Sequence, residues 1–277
     1  MKTKPNYIIS AADERYFRSF LQLYHSYIQT KEYNNSAFIF YDIGLNDDQL
    51  EYLKVLQSKT GHRVFIYKFD FENYPEFVKL EHKTYSWKPI IIHEVFNNRK
   101  ANILWLDSAN IILKNLKPIW DIISETGSYV PLSGSGSLKE WTVQETLDYL
   151  EVPKNWHEKR NRAGNTCGFS YSNERIRGVI ERWKKLALIK ECIKPEGANR
   201  SNHRDDQSLL SILLMEVASN NNVLLTNDEV DISSGNPNSF ISVRNFVSPN
   251  ISANLNAITI PFSKIRRQVD ILLNRIF

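Results

Sequence analysis

Cysteine is nearly missing: Cys167 and Cys192 are the only two in 277 residues. Two thiols make neither a disulfide framework nor a four-ligand zinc site, so both are expected to be reduced and structural. A strong excess of charge is missing too. The formal net charge is +4, whereas a nucleic-acid binder would carry a basic stripe within its fold. Much of that excess falls in residues 262–277, where Lys264, Arg266, Arg267 and Arg275 face one acid, Asp270. No apolar run has the length of a membrane span, and the polar residues 1–5 lead into a short strand, not a signal-peptide core. A cytoplasmic location is therefore expected, with peripheral contact at the inner face of a membrane as one option. No internal repeat is visible, and no glycine lies between Ser10 and Tyr16.

What is present is apolar and aromatic. Hydrophobic residues make up 42%, including 14 Phe, 13 Tyr and 6 Trp, which is enough for a sizeable core and excludes a disordered chain. Strand and helix patterns alternate, which predicts an α/β protein with a mostly parallel central sheet flanked by helices. Strands are expected at residues 7–9, 37–41, 64–67, 103–106, 111–113, 129–132, 166–170 and 223–225. Helices are expected at 13–30, from 46 through Leu56, and at 87–96, 116–123, 174–188 and 205–218. Residues 133–137, Ser-Gly-Ser-Gly-Ser, have the composition of a flexible loop. A polar insertion carrying Trp141, Trp156, Arg160 and Arg162 follows. Residues 236–256 read as irregular surface structure.

In open α/β sheets ligands bind beyond the carboxyl ends of the strands. Two acids fall there: Asp13 after the first strand, and Asp107 after the unbroken apolar run Ile103-Leu104-Trp105-Leu106. Taken alone, Asp13 is equally an N-cap and Asp107 a turn residue. Their order and surroundings resemble glycosyltransferase family eight. The resemblance rests on Ser10-Ala11-Ala12-Asp13-Glu14-Arg15-Tyr16, Leu106-Asp107-Ser108-Ala109-Asn110, Asn165-Thr166-Cys167-Gly168-Phe169 and Asp205-Asp206-Gln207, and spans residues 7–225.

The resemblance implies a single GT-A (Rossmann-like) domain over residues 1–261. It implies transfer of a sugar from a nucleotide-sugar, UDP-linked by analogy, to a glycan or lipid-linked acceptor with retention of configuration. It assigns Asp206 and Gln207 to catalysis. Ala11, Ala12, Asp13, Tyr16, Lys88, Asp107 and Ser108 fall to the donor, with Arg244 added because it lies where the family's late histidine segment would fall, and Asn165 and Gly168 fall to the acceptor; Trp141, in the polar insertion, is an acceptor candidate because aromatic rings stack on sugar faces. Two departures stand out. The second carboxylate of the family's Asp-x-Asp motif is Ala109, and no histidine follows His203 to act as a late metal ligand. Asp107 and the Asn110 amide oxygen are the remaining candidates for Mn²⁺ or Mg²⁺, and metal independence stands beside them as an equal expectation. Fixed charge from Lys88 or Arg244 would then serve the departing diphosphate. Residues 262–277 are expected to form a basic amphipathic helix, suited either to anionic lipid or to packing on protein. A non-catalytic relative that binds nucleotide or glycan is the alternative. A sugar nucleotidyltransferase is disfavoured by the missing glycine-rich phosphate loop.

Overall fold

The computed structural model describes residues 6–59, 64–221, 223–229 and 238–243. Arg244, residues 262–277 and most of 236–256 lie outside the described residues. In chain order the elements are β1 (Asn6–Ala12), α1 (Phe17–Gln29), β2 (Ser36–Asp42), α2 (Asp47–Lys59), β3 (Val64–Lys68), α3 (Trp87–Arg99), β4 (Ile103–Leu106), β5 (Asn110–Ile112) and α4 (Lys117–Thr126). There follow β6 (Ser128–Tyr129), β7 (Leu132–Ser137), α5 (Gln144–Tyr149), β8 (Arg160–Arg162), β9 (Thr166–Phe169), α6 (Glu174–Ala187), α7 (Lys190–Ile193), α8 (Asp205–Asn221) and β10 (Ile241–Val243).

The main sheet has the order β3-β2-β1-β4-β9-β6. β3, β2, β1 and β4 are parallel, and β9 runs against both β4 and β6. Successive residues of a strand point to opposite faces, and each face of this sheet is apolar. On one side Ile9, Ala11, Ile39, Ile103 and Trp105 pack against α3, α6 and α8 through Ile91, Trp183 and Leu210. On the other, Ile8, Phe38, Phe40 and Leu104 meet Phe17, Phe20 and Tyr24 of α1 and Ile119 and Ile123 of α4. Burial on both faces explains why β1, β2 and β4 read as continuous apolar runs rather than as alternation.

Local signals explain most element ends. Asp13 caps a short 3-10 turn, Glu14–Tyr16, before α1 begins, so the expected helix from residue 13 starts as a tighter turn. Pro118 opens α4 and Gly127 closes it in the left-handed region at φ 94°. The Gly-Ser stretch corrects its sequence reading: residues 132–137 form β7, paired antiparallel with β8. Small residues suit a twisted two-stranded ribbon, and composition alone hid the partner strand. Residues 223–225 are not a strand; they run as irregular chain. Among the described residues no helix is long and apolar enough to cross a membrane.

Candidate functional site

Three parallel strands deliver acids to one rim of the sheet. Asp13 follows β1, and its Oδ1 accepts the Tyr16 amide at 2.9 Å. Asp42 ends β2 and accepts the Gly44 and Leu45 amides at 2.8 Å each. Glu14 donates its amide to the Gly44 carbonyl at 2.9 Å, locking the β1 and β2 loops together. Gly44 sits at φ 135°, where a side chain would be strained. Ala11 and Ala12 are the last two residues of β1, paired with Tyr41 and Asp42. Tyr16 stands out from this rim and is exposed.

Asp107 follows β4 in a turn clamped by Asn165. The Asn165 carbonyl accepts the Asp107 amide at 2.9 Å and the Asn110 side-chain amide at 2.7 Å. Trp105 Nε1 donates to Asp107 Oδ1 at 2.7 Å and fixes the carboxylate's direction. Ser108 is buried beside it.

Lys88 enters from the first turn of α3 and is almost wholly buried. Its ammonium lies 3.1 Å from Asp107 Oδ1 and 3.2 Å from Asp206 Oδ2, and donates to the Gly164 carbonyl at 3.2 Å. Asp206 is in the first turn of α8, and Trp183 Nε1 of α6 holds that turn by bonding the Asp206 carbonyl at 2.9 Å. Next to it Gln207 packs on Gly164, where a Cβ would come within 3.0 Å of the Gln207 Cβ. A side chain at residue 164 would therefore press on the side chain of Gln207. Burial alone would push the Lys88 ammonium down, but Asp107 and then Asp206 outweigh it and hold it above its ordinary value. Burial pushes the Asp206 carboxyl up to about 6, with Lys88 opposing that rise and Asp107 adding to it. The Cys167 thiol behind this cluster is raised by burial, so Cys167 is an inert core residue.

The neighbouring acid has its own lysine. Lys194 Nζ donates to Asp205 Oδ1 and to the Lys83 carbonyl, each at 3.0 Å. Asp205 lies at φ 44°, and Lys83 and Tyr85 lie at φ 53°. Three side-chain-bearing residues in the left-handed region, joined through the Lys194–Asp205–Lys83 contacts, are a concentration of backbone strain of the kind found at functional sites. Trp141 reaches the same end of α8: the Arg204 guanidinium lies 3.8 Å over its ring, and its carbonyl accepts from the Arg204 amide and Ser208 Oγ.

A family model described as a protein of unknown function, DUF1647, matches residues 2–93. No curated protein matches in sequence. Among solved structures, an active-site mutant of LgtC is 10% identical and superposes with a TM-score of 0.52 over 93% of this chain and 98% of that one. The galactosyltransferase LgtC with donor and acceptor sugar analogues gives 0.50 at 12% identity, over 81% and 73%. Apo GlyE, a glycosyltransferase of Streptococcus pneumoniae TIGR4, gives 0.53 at 10% identity, over 95% of this chain and 62% of that one.

The fold is GT-A.

Within the GT-A sheet the structure brings Lys88, Asp107, Asp206 and Gln207 together, with Asn165 serving through its carbonyl. Asp13 and Tyr16 stand on the rim at the end of the neighbouring strand. Gly168 goes elsewhere. It lies in mid-β9, where a Cβ would fall 2.3 Å from Ile123 Cδ1, so its smallness serves the packing of α4 on the sheet.

A GT-A metal ion needs several oxygen ligands, and the described residues do not fit one here. Asp107 Oδ1 is engaged by Trp105 and Lys88. Ala109 supplies no oxygen from its side chain. The Asn110 side chain is sealed in the turn, its amide nitrogen bonded to Asn165 and Thr166 and its oxygen buried without a hydrogen-bond partner. The space between Asp107 and Asp206 is filled by an ammonium. A separate group, Glu76, Glu81 and His82, brings its ligand atoms within 4.8 Å of one another, but all three are exposed and Lys79 already pairs with Glu76 at 3.0 Å.

Sequence reasoning missed Trp105, Tyr85, Arg200 and Arg204. Trp105 reads as a core residue of an apolar strand, and only its indole N–H distinguishes it. Arg204 directly precedes the Asp-Asp-Gln segment, which was its one available signal.

Proposed function

We propose that this chain is a glycosyltransferase that moves a sugar from a nucleotide-sugar, UDP-linked, to a glycan or lipid-linked acceptor with retention of configuration. The observation that carries the reading is the contact of Lys88 with both Asp107 and Asp206 beside Gln207, at the strand ends where an α/β sheet binds ligands. Asp13 and Tyr16 receive the nucleotide, and Asp107 and Ser108 line the diphosphate. Asp206, held by Lys88, sets the position of Gln207 beneath the reacting sugar. An acceptor oxygen bonds to the anomeric carbon as its bond to the donor phosphate breaks. The diphosphate leaves with the electron pair and takes the acceptor's proton. Gln207 stabilises the positive charge that develops on the sugar, or orients the acceptor hydroxyl. Trp141 offers a ring face to the acceptor.

A second reading, a non-catalytic nucleotide binder, is favoured by Ala109 and by the pairing of Asp206 with Lys88 at 3.2 Å. One experiment separates the two. The purified chain is incubated with UDP- and GDP-sugars, with and without EDTA, and free nucleoside diphosphate is measured alongside calorimetric titration of UDP and GDP. Release of UDP that survives EDTA is expected. Normal UDP binding with no release from any donor supports the second reading, and absence of UDP and GDP binding removes both.

A further inference from the structure

Leaving a diphosphate in a cleft requires positive charge, and Lys88 has little to spare. One ammonium faces two carboxylates at 3.1 and 3.2 Å, so the buried cluster carries net negative charge when all three groups are ionised. Two further cations, Arg200 and Arg204, lie on the loop that leads into α8, with Asp205 acting on both from beyond ion-pair distance. Arg200 donates from Nη2 to the Tyr85 hydroxyl, and its guanidinium lies 5.5 Å from the centre of that ring. Tyr85 in turn accepts the Lys88 amide on its carbonyl at 3.1 Å, tying this contact to the buried cluster. The Arg204 guanidinium carbon lies 3.8 Å from the centre of the Trp141 ring, and Arg204 directly precedes the two aspartates. Among the described residues neither arginine makes an ion pair; Asp205, the nearest acid in sequence, is taken by Lys194.

The loop that carries both arginines is built to hold them. Asn199 Oδ1 accepts from the Ser201 amide at 2.9 Å and from its hydroxyl at 2.6 Å, and the Asn199 carbonyl accepts the Asn202 and His203 amides. His203 is buried, with Nε2 on the Ile193 carbonyl at 2.8 Å and Nδ1 accepting the Val143 amide at 3.4 Å. Burial lowers it to about 4, so it stays neutral and serves as a pin, not as a charge. Two guanidiniums on one short loop, each braced by an aromatic ring, repel one another; burial and then Arg200 both disfavour the charged form of Arg204. A ligand's negative charge relieves that repulsion, and the planar fork of arginine suits phosphate and carboxylate.

We propose that Arg200 and Arg204, fixed by Tyr85 and Trp141 beside the Lys88–Asp206 pair, form an oxyanion-binding site that takes a phosphate or carboxylate of the substrate. The proposal rests on the glycosyltransferase reading for its biological role, but not for its measurement. The shared chemistry has two sources: the diphosphate of the donor, or an acidic group on the acceptor sugar. Calorimetric titration of the full chain with UDP, uridine, inorganic pyrophosphate and glucuronate distinguishes them, repeated on Arg200→Gln and Arg204→Gln. Both variants keep a polar stem on residues outside the core, and thermal melting checks that the fold is intact. A loss of one charged hydrogen bond predicts roughly 10- to 100-fold weaker binding. Weakening of UDP and pyrophosphate, with uridine unchanged, assigns the site to the donor. Weakening of glucuronate with UDP unchanged assigns it to an acidic acceptor. Wild-type affinity of both folded variants for all four probes overturns the proposal, as does failure of the wild-type chain to bind any of the three anions. Loss of pyrophosphate binding in a chain that releases no UDP from any donor would keep this site and remove transfer, so the two ideas fail separately.

Discussion

Lys88, in the first turn of α3, holds Asp206, in the first turn of α8, at 3.2 Å, and reaches Asp107 with the same ammonium. That contact fastens two helices to the rim of the sheet at the point where β4 ends. Removing one member of a buried ion pair costs about 3–5 kcal/mol, because the partner's charge is left uncompensated. Lys88→Met is therefore expected to lower stability by about that much. Combining it with Asp206→Asn should restore a substantial part, since the double variant leaves only the half-exposed Asp107. Urea unfolding of the four proteins of this cycle measures the coupling. Additive losses would mean that the pair does not hold the helices.

Asp205 and Asp206 make stability depend on pH. Burial pushes Asp205 up to about 7 against Lys194, and Asp206 up to about 6 against Lys88. In the unfolded chain both titrate near 3.9. The folded protein thus holds protons that the unfolded chain has lost, so their stabilising contribution is full below about pH 4 and disappears as pH rises through 6 to 7. His203 acts in the opposite sense. Its folded value of about 4 lies below the ordinary 6.5, so its contribution is present above pH 6.5 and lost as pH falls towards 4. The two trends oppose each other, and variants separate them. Relative to wild type, Asp205→Asn should gain stability steadily from pH 4 to 7.5, and His203→Gln should gain it as pH falls from 6.5 to 4. The trend is the readout, because each substitution also shifts stability by a constant amount. Flat differences across the range would contradict the burial of these groups.

The sequence carried the rim of this site better than its depth. Asp13 and Asp107 are legible because a strand end followed by an acid is a local pattern, and the apolar run 103–106 marks a central strand. The partners of those acids are not local. That Lys88 reaches Asp206, or that Arg204 stacks on Trp141, depends on how α3, α8 and the 141 turn pack, and no spacing encodes it. Ser-Gly-Ser-Gly-Ser looked like loop because what makes it a strand is its pairing with β8 at Leu132 and Ser137, either side of an irregular stretch, which side-chain composition does not report. Residue 168 shows the converse: a motif-like glycine has a packing reason in the Ile123 side chain against it, which no local pattern reports.

Gln207 separates chemistry from architecture. Its side chain is half-buried against Gly164, and its removal deletes no ion pair of the cluster. Gln207→Ala is expected to lower donor turnover by at least about 10-fold, the scale of losing one polar group at a developing charge. The urea midpoint should stay near that of wild type. Equal turnover in the two proteins would remove Gln207 from the reaction.

Gly168→Ala tests the competing reading of the Asn165–Phe169 segment as an acceptor strand. A Cβ there would sit 2.3 Å from Ile123 Cδ1 and 3.3 Å from Leu104 Cδ1. Overpacking of this kind costs about 1–3 kcal/mol. If the residue serves packing alone, the variant melts earlier, but the folded fraction keeps its affinity for acceptor and its turnover per molecule. Ile123→Val in the same chain removes one methyl from the clash and should return part of the lost stability. A variant with unchanged melting and weakened acceptor binding would give Gly168 back to the acceptor, and would mean that the face of β9 under α4 opens during turnover.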